Sequence, residues 1–161
     1  MRKATGVWEA RQMTQPELIV LRPDDLTVRI ATVDDRPFIL RTWIMTQHMV
    51  YPNQYAHGWQ DRTEQAIKDR LYRASTLVSH LDGDPGAVVS YIVYQIFLHT
   101  LVVQYAYTDE TARRQGHISR MVKLANVQDG AVVFTHAPRN ENAMRNISKR
   151  YLFEPSMWGQ L

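Results

Sequence analysis

The chain has 161 residues, 45% of them hydrophobic and 22% charged, with a formal net charge of +3 and no cysteine. Such values suit one globular domain large enough for its own core, and they exclude a disordered or low-complexity chain. The lack of cysteine excludes a disulfide scaffold, a thiolate metal site and a cysteine nucleophile, and it suits a reducing compartment.

Residues 1–25 have weak periodicity and read as an N-terminal extension, and residues 26–161 as the single domain. Met1-Arg2-Lys3-Ala4-Thr5-Gly6 has no apolar run behind its charges, so no signal peptide is expected and the expected location is cytoplasmic. Thr27-Val28-Arg29-Ile30-Ala31 alternates as a strand does. A helix follows, capped by Asp34 or Asp35, with Pro37 in its first turn and Phe38, Ile39, Thr42 and Trp43 on one face. After a polar, aromatic-rich loop from about Gln47 to Gln60, Asp61-Arg62-Thr63-Glu64 has capping-box chemistry. It opens a second helix that carries Ile67 and Leu71 four apart.

Thr76–Leu81 reads as a strand and Asp82-Gly83-Asp84-Pro85-Gly86 as a turn. The uncharged stretch from Gly86 to Thr108 is long enough for a membrane span, but polar residues interrupt it and its Val, Ile and Tyr content favours two buried strands. These are expected at Ala87–Tyr94 and about Leu98–Tyr107, with no Gly, Asn or Pro to make the bend between them. No membrane association is expected. Ile118, Met121, Val122 and Ala125 are spaced as the inner stripe of a third helix. Ala131–Thr135 is a short strand, and a last helix from about Asn140 turns Met144, Ile147 and Tyr151 inward. The order is a mixed α/β arrangement, a mostly antiparallel sheet flanked by about four helices.

The charge is unevenly spread. Residues 111–150 hold eight Lys or Arg against two acids, a balance of +6, and the rest hold eleven bases against fourteen acids, or −3. Within that basic third, Tyr105-Ala106-Tyr107-Thr108 ends a buried strand. Asp109-Glu110-Thr111-Ala112-Arg113-Arg114-Gln115-Gly116 is a polar loop, and His117-Ile118-Ser119 opens an amphipathic helix. The first amides of a helix lack intrahelical acceptors and lie at the positive end of its dipole, which suits a phosphate. Gly116 would let a ligand approach the backbone and Arg113 and Arg114 would supply charge; a plain helix start with a turn glycine is the other reading.

Arg113-Arg114-Gln115-Gly116-His117-Ile118 resembles the Arg/Gln-x-x-Gly-x-Gly/Ala pyrophosphate loop of the GNAT superfamily of N-acetyltransferases. Val28–Asp35 is similar to that family's first strand and helix start, and the element order matches from about Thr27 to Phe153. The long aromatic loop also resembles short bacteriophage-encoded acetyltransferase-like proteins. The resemblance implies a domain that binds acetyl-coenzyme A and moves its acetyl group to an amine by direct attack. It implies pantetheine along the strand backbone at Ala106, Tyr107 and Thr108, and pyrophosphate on the loop amides from Arg114 to Ser119. The acyl group would lie where two strands splay, near Gln104–Ala106 and Phe134–His136. The sequence departs from the family at Ile118, where the motif has a small residue, at Leu152, where a glycine is usual, and in its short C-terminal tail. The same fold with impaired chemistry, acting as a binding or structural protein on a protein partner, is therefore the competing expectation.

No family acid or base is in register. His136 could serve as a base near neutral pH, or be a surface histidine before a turn, and Tyr151 is an available phenol. The histidines show no metal-ligand spacing, so no metal is expected. Trp43, Tyr51, Tyr55 and Trp59 line an acceptor pocket or present a partner surface, or else serve core packing or loop folding. A nucleic-acid-binding role ranks third, since it rests on the basic third alone.

Overall fold

The computed structural model describes residues 23–50, 58–126, 130–136 and 151–154. A six-stranded sheet runs in sequence order through β1 (Leu26–Ile30), β2 (Ser75–Leu81), β3 (Asp84–Phe97), β4 (Thr100–Thr108), β5 (Val132–Phe134) and β6 (Leu152–Phe153). β1 to β4 pair antiparallel, whereas β5 joins β4 in parallel and β6 joins β5 in parallel. The expected mixed, mostly antiparallel sheet is therefore present. The stretch weighed as a membrane span makes β3 and β4, and no described helix is long and apolar enough to cross a membrane.

Among the described residues three helices flank the sheet: α1 (Arg36–Val50), α2 (Trp59–Arg73) and α3 (His117–Ala125). The stripes read from the sequence decide the faces. Ile39 and Trp43 of α1 and Ile67 of α2 bury against Val78, Tyr91, Val93 and Tyr105 on one face. Met121, Val122 and Ala125 of α3 bury against Leu77, Ile92, Leu101, Val103 and Phe134 on the other. Trp43 is wholly buried and stacks on Tyr105 with ring centroids 4.5 Å apart, so it is core and not pocket wall. Tyr51, Tyr55 and the helix expected from Asn140 lie outside the described residues.

Two local expectations are corrected. α2 starts at Trp59 behind Gly58, so Asp61-Arg62-Thr63-Glu64 is not a cap. Asp61 sits in the first turn, where its charge still favours the helix dipole. The turn after β2 is shorter than expected, and β3 already begins at Asp84.

The unsignalled bend is a two-residue turn. Leu98 and His99 have φ of 47° and 63°, the geometry that a tight hairpin normally gives to Asn-Gly. Gly130 packs against the same turn, because a Cβ there would collide with the His99 carbonyl. Leu98 is 80% exposed, so little packing offsets the left-handed backbone. Replacing Leu98-His99 with Asn-Gly should raise unfolding stability by about 1–2 kcal/mol. A urea midpoint at or below that of the parent would refute the strain.

Candidate functional site

β4 changes register at its centre. On β3, Val93 faces Tyr105 while the next residue, Tyr94, faces Val103, so Gln104 is an extra residue without a ladder partner. This bulge switches the faces of the strand. Leu101 and Val103 before it and Ala106 after it pack toward α3, whereas Tyr105 and Tyr107 pack toward α1 and α2.

The bulge coincides with the end of pairing to β5. Ladder partners stop at Val103 and Phe134, followed by one bond from Thr135 N–H to the Val103 carbonyl at 3.1 Å. Beyond it, the edge of β4 from Gln104 to Thr108 has no neighbouring strand among the described residues. A short amide-bearing chain could pair with that edge as a strand would.

At the end of β4 the chain makes a one-turn helix over Glu110–Ala112. Asp109 Oδ1 caps it, accepting from Thr111 N–H at 3.0 Å and Thr111 Oγ1 at 2.7 Å. Buried Ala112 anchors the loop. Arg113 Nε donates to the Thr108 carbonyl at 3.3 Å, and the Gln115 amide reaches the Thr111 carbonyl at 3.4 Å. Arg113 and Arg114 are both exposed. Arg114 and Gly116 have φ of 66° and 82°, so the loop turns twice through the left-handed region before α3 begins. Gly116 is the N-cap and no side chain caps the helix. A Cβ built on Gly116 would meet nothing within 4 Å, so the space beside the N-cap backbone is open.

Ile118 is half-buried and packs against the α3-side core. It leaves the open space unfilled, and the amides of His117, Ile118 and Ser119 keep the orientation of a helix start. These residues fit a diphosphate, with open backbone at Gly116 and cationic side chains at its rim.

His136 follows β5 beside the bulge. Thr135 Oγ1 lies 3.2 Å from the Gln104 carbonyl and 3.0 Å from His136 Nδ1. A hydroxyl has one proton and the carbonyl can only accept, which assigns the imidazole proton to Nδ1. Burial pushes the His136 pKa down to about 4; the Gln104 carbonyl opposes that and the Arg70 charge adds to it. His136 is thus neutral at pH 7 and holds a proton too weakly to act as a base tuned to that pH. Its ring meets Tyr105 edge-on, with centroids 6.3 Å apart. Tyr151 is half-buried and its ring packs on Phe134 at 5.2 Å, against the α3-side core.

Ala106, Tyr107 and Thr108 lie on the free edge of β4, and Arg113 to Ser119 form the loop and helix start. His136 lies against Tyr105 where the β4–β5 ladder ends, while Tyr151 stands across Phe134. Among the described residues no group of acidic and imidazole side chains could hold a metal ion. Sequence reasoning missed Gln95, which bonds Gln104 at the bulge from β3; nothing about a glutamine in a strand signals it.

No family model matches the chain, and no curated protein matches it in sequence. Solved structures do match it in shape. A possible acetyltransferase from Clostridium difficile 630 is 17% identical over 80% of this chain and 91% of its own, with a TM-score of 0.54. The N-acetyltransferase PaiA from Thermoplasma acidophilum, solved in complex with coenzyme A, is 9% identical over 77% and 87%, with a TM-score of 0.55. A GNAT-family acetyltransferase from Staphylococcus aureus Mu50 is 8% identical over 77% and 82%, with a TM-score of 0.54. The chain has the GNAT acetyltransferase fold. In this GNAT-like sheet, β4 and β5 are a parallel pair and α3 follows the loop that ends at Gly116.

Proposed function

We propose that the protein binds acetyl-coenzyme A along β4 and at the start of α3, and transfers the acetyl group to an amine. The observation that carries this reading is the open N-cap at Gly116, kept open because Ile118 turns into the core. The edge of β4 beyond Val103, which has no neighbouring strand among the described residues, supports it.

In this reading the amides of His117, Ile118 and Ser119 hold the pyrophosphate, with Arg113 and Arg114 at its rim. Ala106, Tyr107 and Thr108 pair with the pantetheine amides, and the thioester lies at the Gln104 bulge. Coenzyme A supplies an activated acyl group, so the enzyme needs no nucleophile of its own. The amine nitrogen forms a bond to the thioester carbonyl carbon and the carbon–sulfur bond breaks. The proton lost from nitrogen goes to water, and the departing thiolate takes a proton from solvent.

A second reading has one specific observation behind it. Burial leaves His136 a weak base, so it is not an acid–base group poised for pH 7. That fits a protein that holds the coenzyme without turning it over, in service of a protein partner. Calorimetry with acetyl-coenzyme A, followed by thiol release across a panel of amines, separates the two. Micromolar binding with release supports transfer, and binding without release supports the second reading. No heat of binding at 1 mM coenzyme would overturn both.

A further inference from the structure

A cavity of about 310 Å³ lies at the corner where β1 hands the chain to α1 and α2 hands it to β2, a volume typical of small-molecule sites. The connections make the corner. β1 ends at Ile30, Ala31 N–H donates to the Thr76 carbonyl at 2.9 Å, and the chain turns away through Thr32–Asp35 into α1. α2 ends at Arg73, and Ala74 leads it into β2 at Ser75. Ile39, Leu71, Ala74 and Tyr94 line the cavity, all buried or half-buried. None of the described lining residues belongs to β4 or α3. The corner is also at the other end of the sheet from Gly116, because β2 and β4 run the same way and the glycine loop follows the end of β4.

The wall sets a preference. Ile30 and Val33 also line the cavity and are 74% and 68% exposed, so an apolar body laid against them would take their surface out of water. Arg36 is the one charged residue among the described residues of the wall. It is exposed and makes no ion pair, whereas the adjacent Asp35 is committed to Arg29 at 2.7 Å. Arg36 is also the first residue of α1, the end at which the helix dipole opposes a cation. The helix gains nothing from that charge, but an anion in the cavity would. A single guanidinium matches one carboxylate, whose two oxygens it can bond side by side; a phosphate dianion would leave a charge over.

We propose that this corner binds a small carboxylate with a branched apolar body. The carboxylate meets Arg36, the apolar body lies between Ile30, Val33 and Leu71, and the hydroxyls of Ser75 and Thr76 stand on the same wall. The site is separate from acetyl transfer and does not depend on it.

The test titrates the full chain with 4-methylpentanoate and follows backbone N–H resonances. We expect a dissociation constant of about 1 mM, a usual affinity for so small a molecule, with shifts at Ala31, Ser75 and Thr76. 4-Methylpentanamide lacks the charge and acetate lacks the apolar body, so each should bind at least tenfold more weakly. Arg36→Gln should bring the acid down to the level of the amide, and Arg36→Lys should recover part of the difference. Arg36 is exposed, so both variants should keep the urea midpoint of the parent, which shows that they fold. Equal binding of acid and amide, acid binding unchanged in Arg36→Gln, or shifts confined to residues 113–119 would overturn the proposal. Tighter binding of 3-methylbutyl phosphate than of the acid would overturn it too, as would no shift at any residue with acid far above that concentration.

Discussion

Replacing Gly116 with tryptophan is expected to weaken acetyl-coenzyme A binding at least a hundredfold in calorimetry, to the point of no measurable heat. The position is open in front, with nothing within 4 Å of a Cβ, so a large side chain enters the space the diphosphate would need and not the core. Two effects of the substitution have to be separated. Gly116 has φ of 82°, and any L-residue there is strained by about 1–2 kcal/mol. Gly116→Ala carries the same strain with little bulk, so both variants should lose similar stability. Only tryptophan should abolish binding. If alanine and tryptophan weaken the coenzyme equally, strain in the loop is the cause and the cradle is not at Gly116. If neither does, the diphosphate is held elsewhere.

The same loop shows what the sequence makes legible. Ile118 breaks the small-residue pattern of the loop it resembles, yet it also begins the stripe Ile118, Met121, Val122, Ala125. A nine-residue helix whose stripe packs on Leu101, Val103 and Phe134 has one way to lie on the sheet. The stripe therefore decides where Ile118 points, and periodicity carried more information than the motif. The Gln104 bulge was not legible. Leu101 to Tyr105 are all buried, so both faces of β4 lie in core, and a slip in alternation leaves no mark in polarity. The Leu98-His99 turn was hidden for the opposite reason. Neither residue favours positive φ, so the turn is imposed by the pairing of β3 with β4 on either side of it. At α2 the local chemistry misled: Asp61 and Glu64 have capping-box spacing, but the glycine that begins the helix stands three residues earlier.

Asp35 should be among the costliest polar residues to remove. Its Oδ2 accepts from Arg29 Nη1 at 2.7 Å, Thr32 N–H at 2.6 Å and Thr32 Oγ1 at 3.1 Å, while Oδ1 accepts from Arg29 Nη2 at 2.9 Å. Arg29 Nη2 also donates to the Pro85 carbonyl at 2.8 Å, so the pair ties β1, the approach to α1 and the start of β3 together. Asp35 is 5% exposed and Arg29 25%. Breaking a fully buried pair costs about 3–5 kcal/mol, but the quarter of Arg29 left in water screens the charge that remains. Asp35→Ala should therefore lower unfolding stability by about 2–3 kcal/mol in urea, and Asp35→Asn by less, because the amide keeps one acceptor. The pH dependence is a second, independent signature. The Arg29 hydrogen bonds hold the Asp35 pKa below its ordinary value against the opposing effect of burial, with Thr32 N–H assisting. An unfolded carboxyl titrates near about 4, so the charge contributes its full stability above that pH and loses it as pH falls through the lower folded value. The gap between parent and Asp35→Asn should be constant from pH 5 to 7 and shrink below about 4. A gap that stays constant down to pH 2 would mean that Asp35 contributes by packing and not by charge.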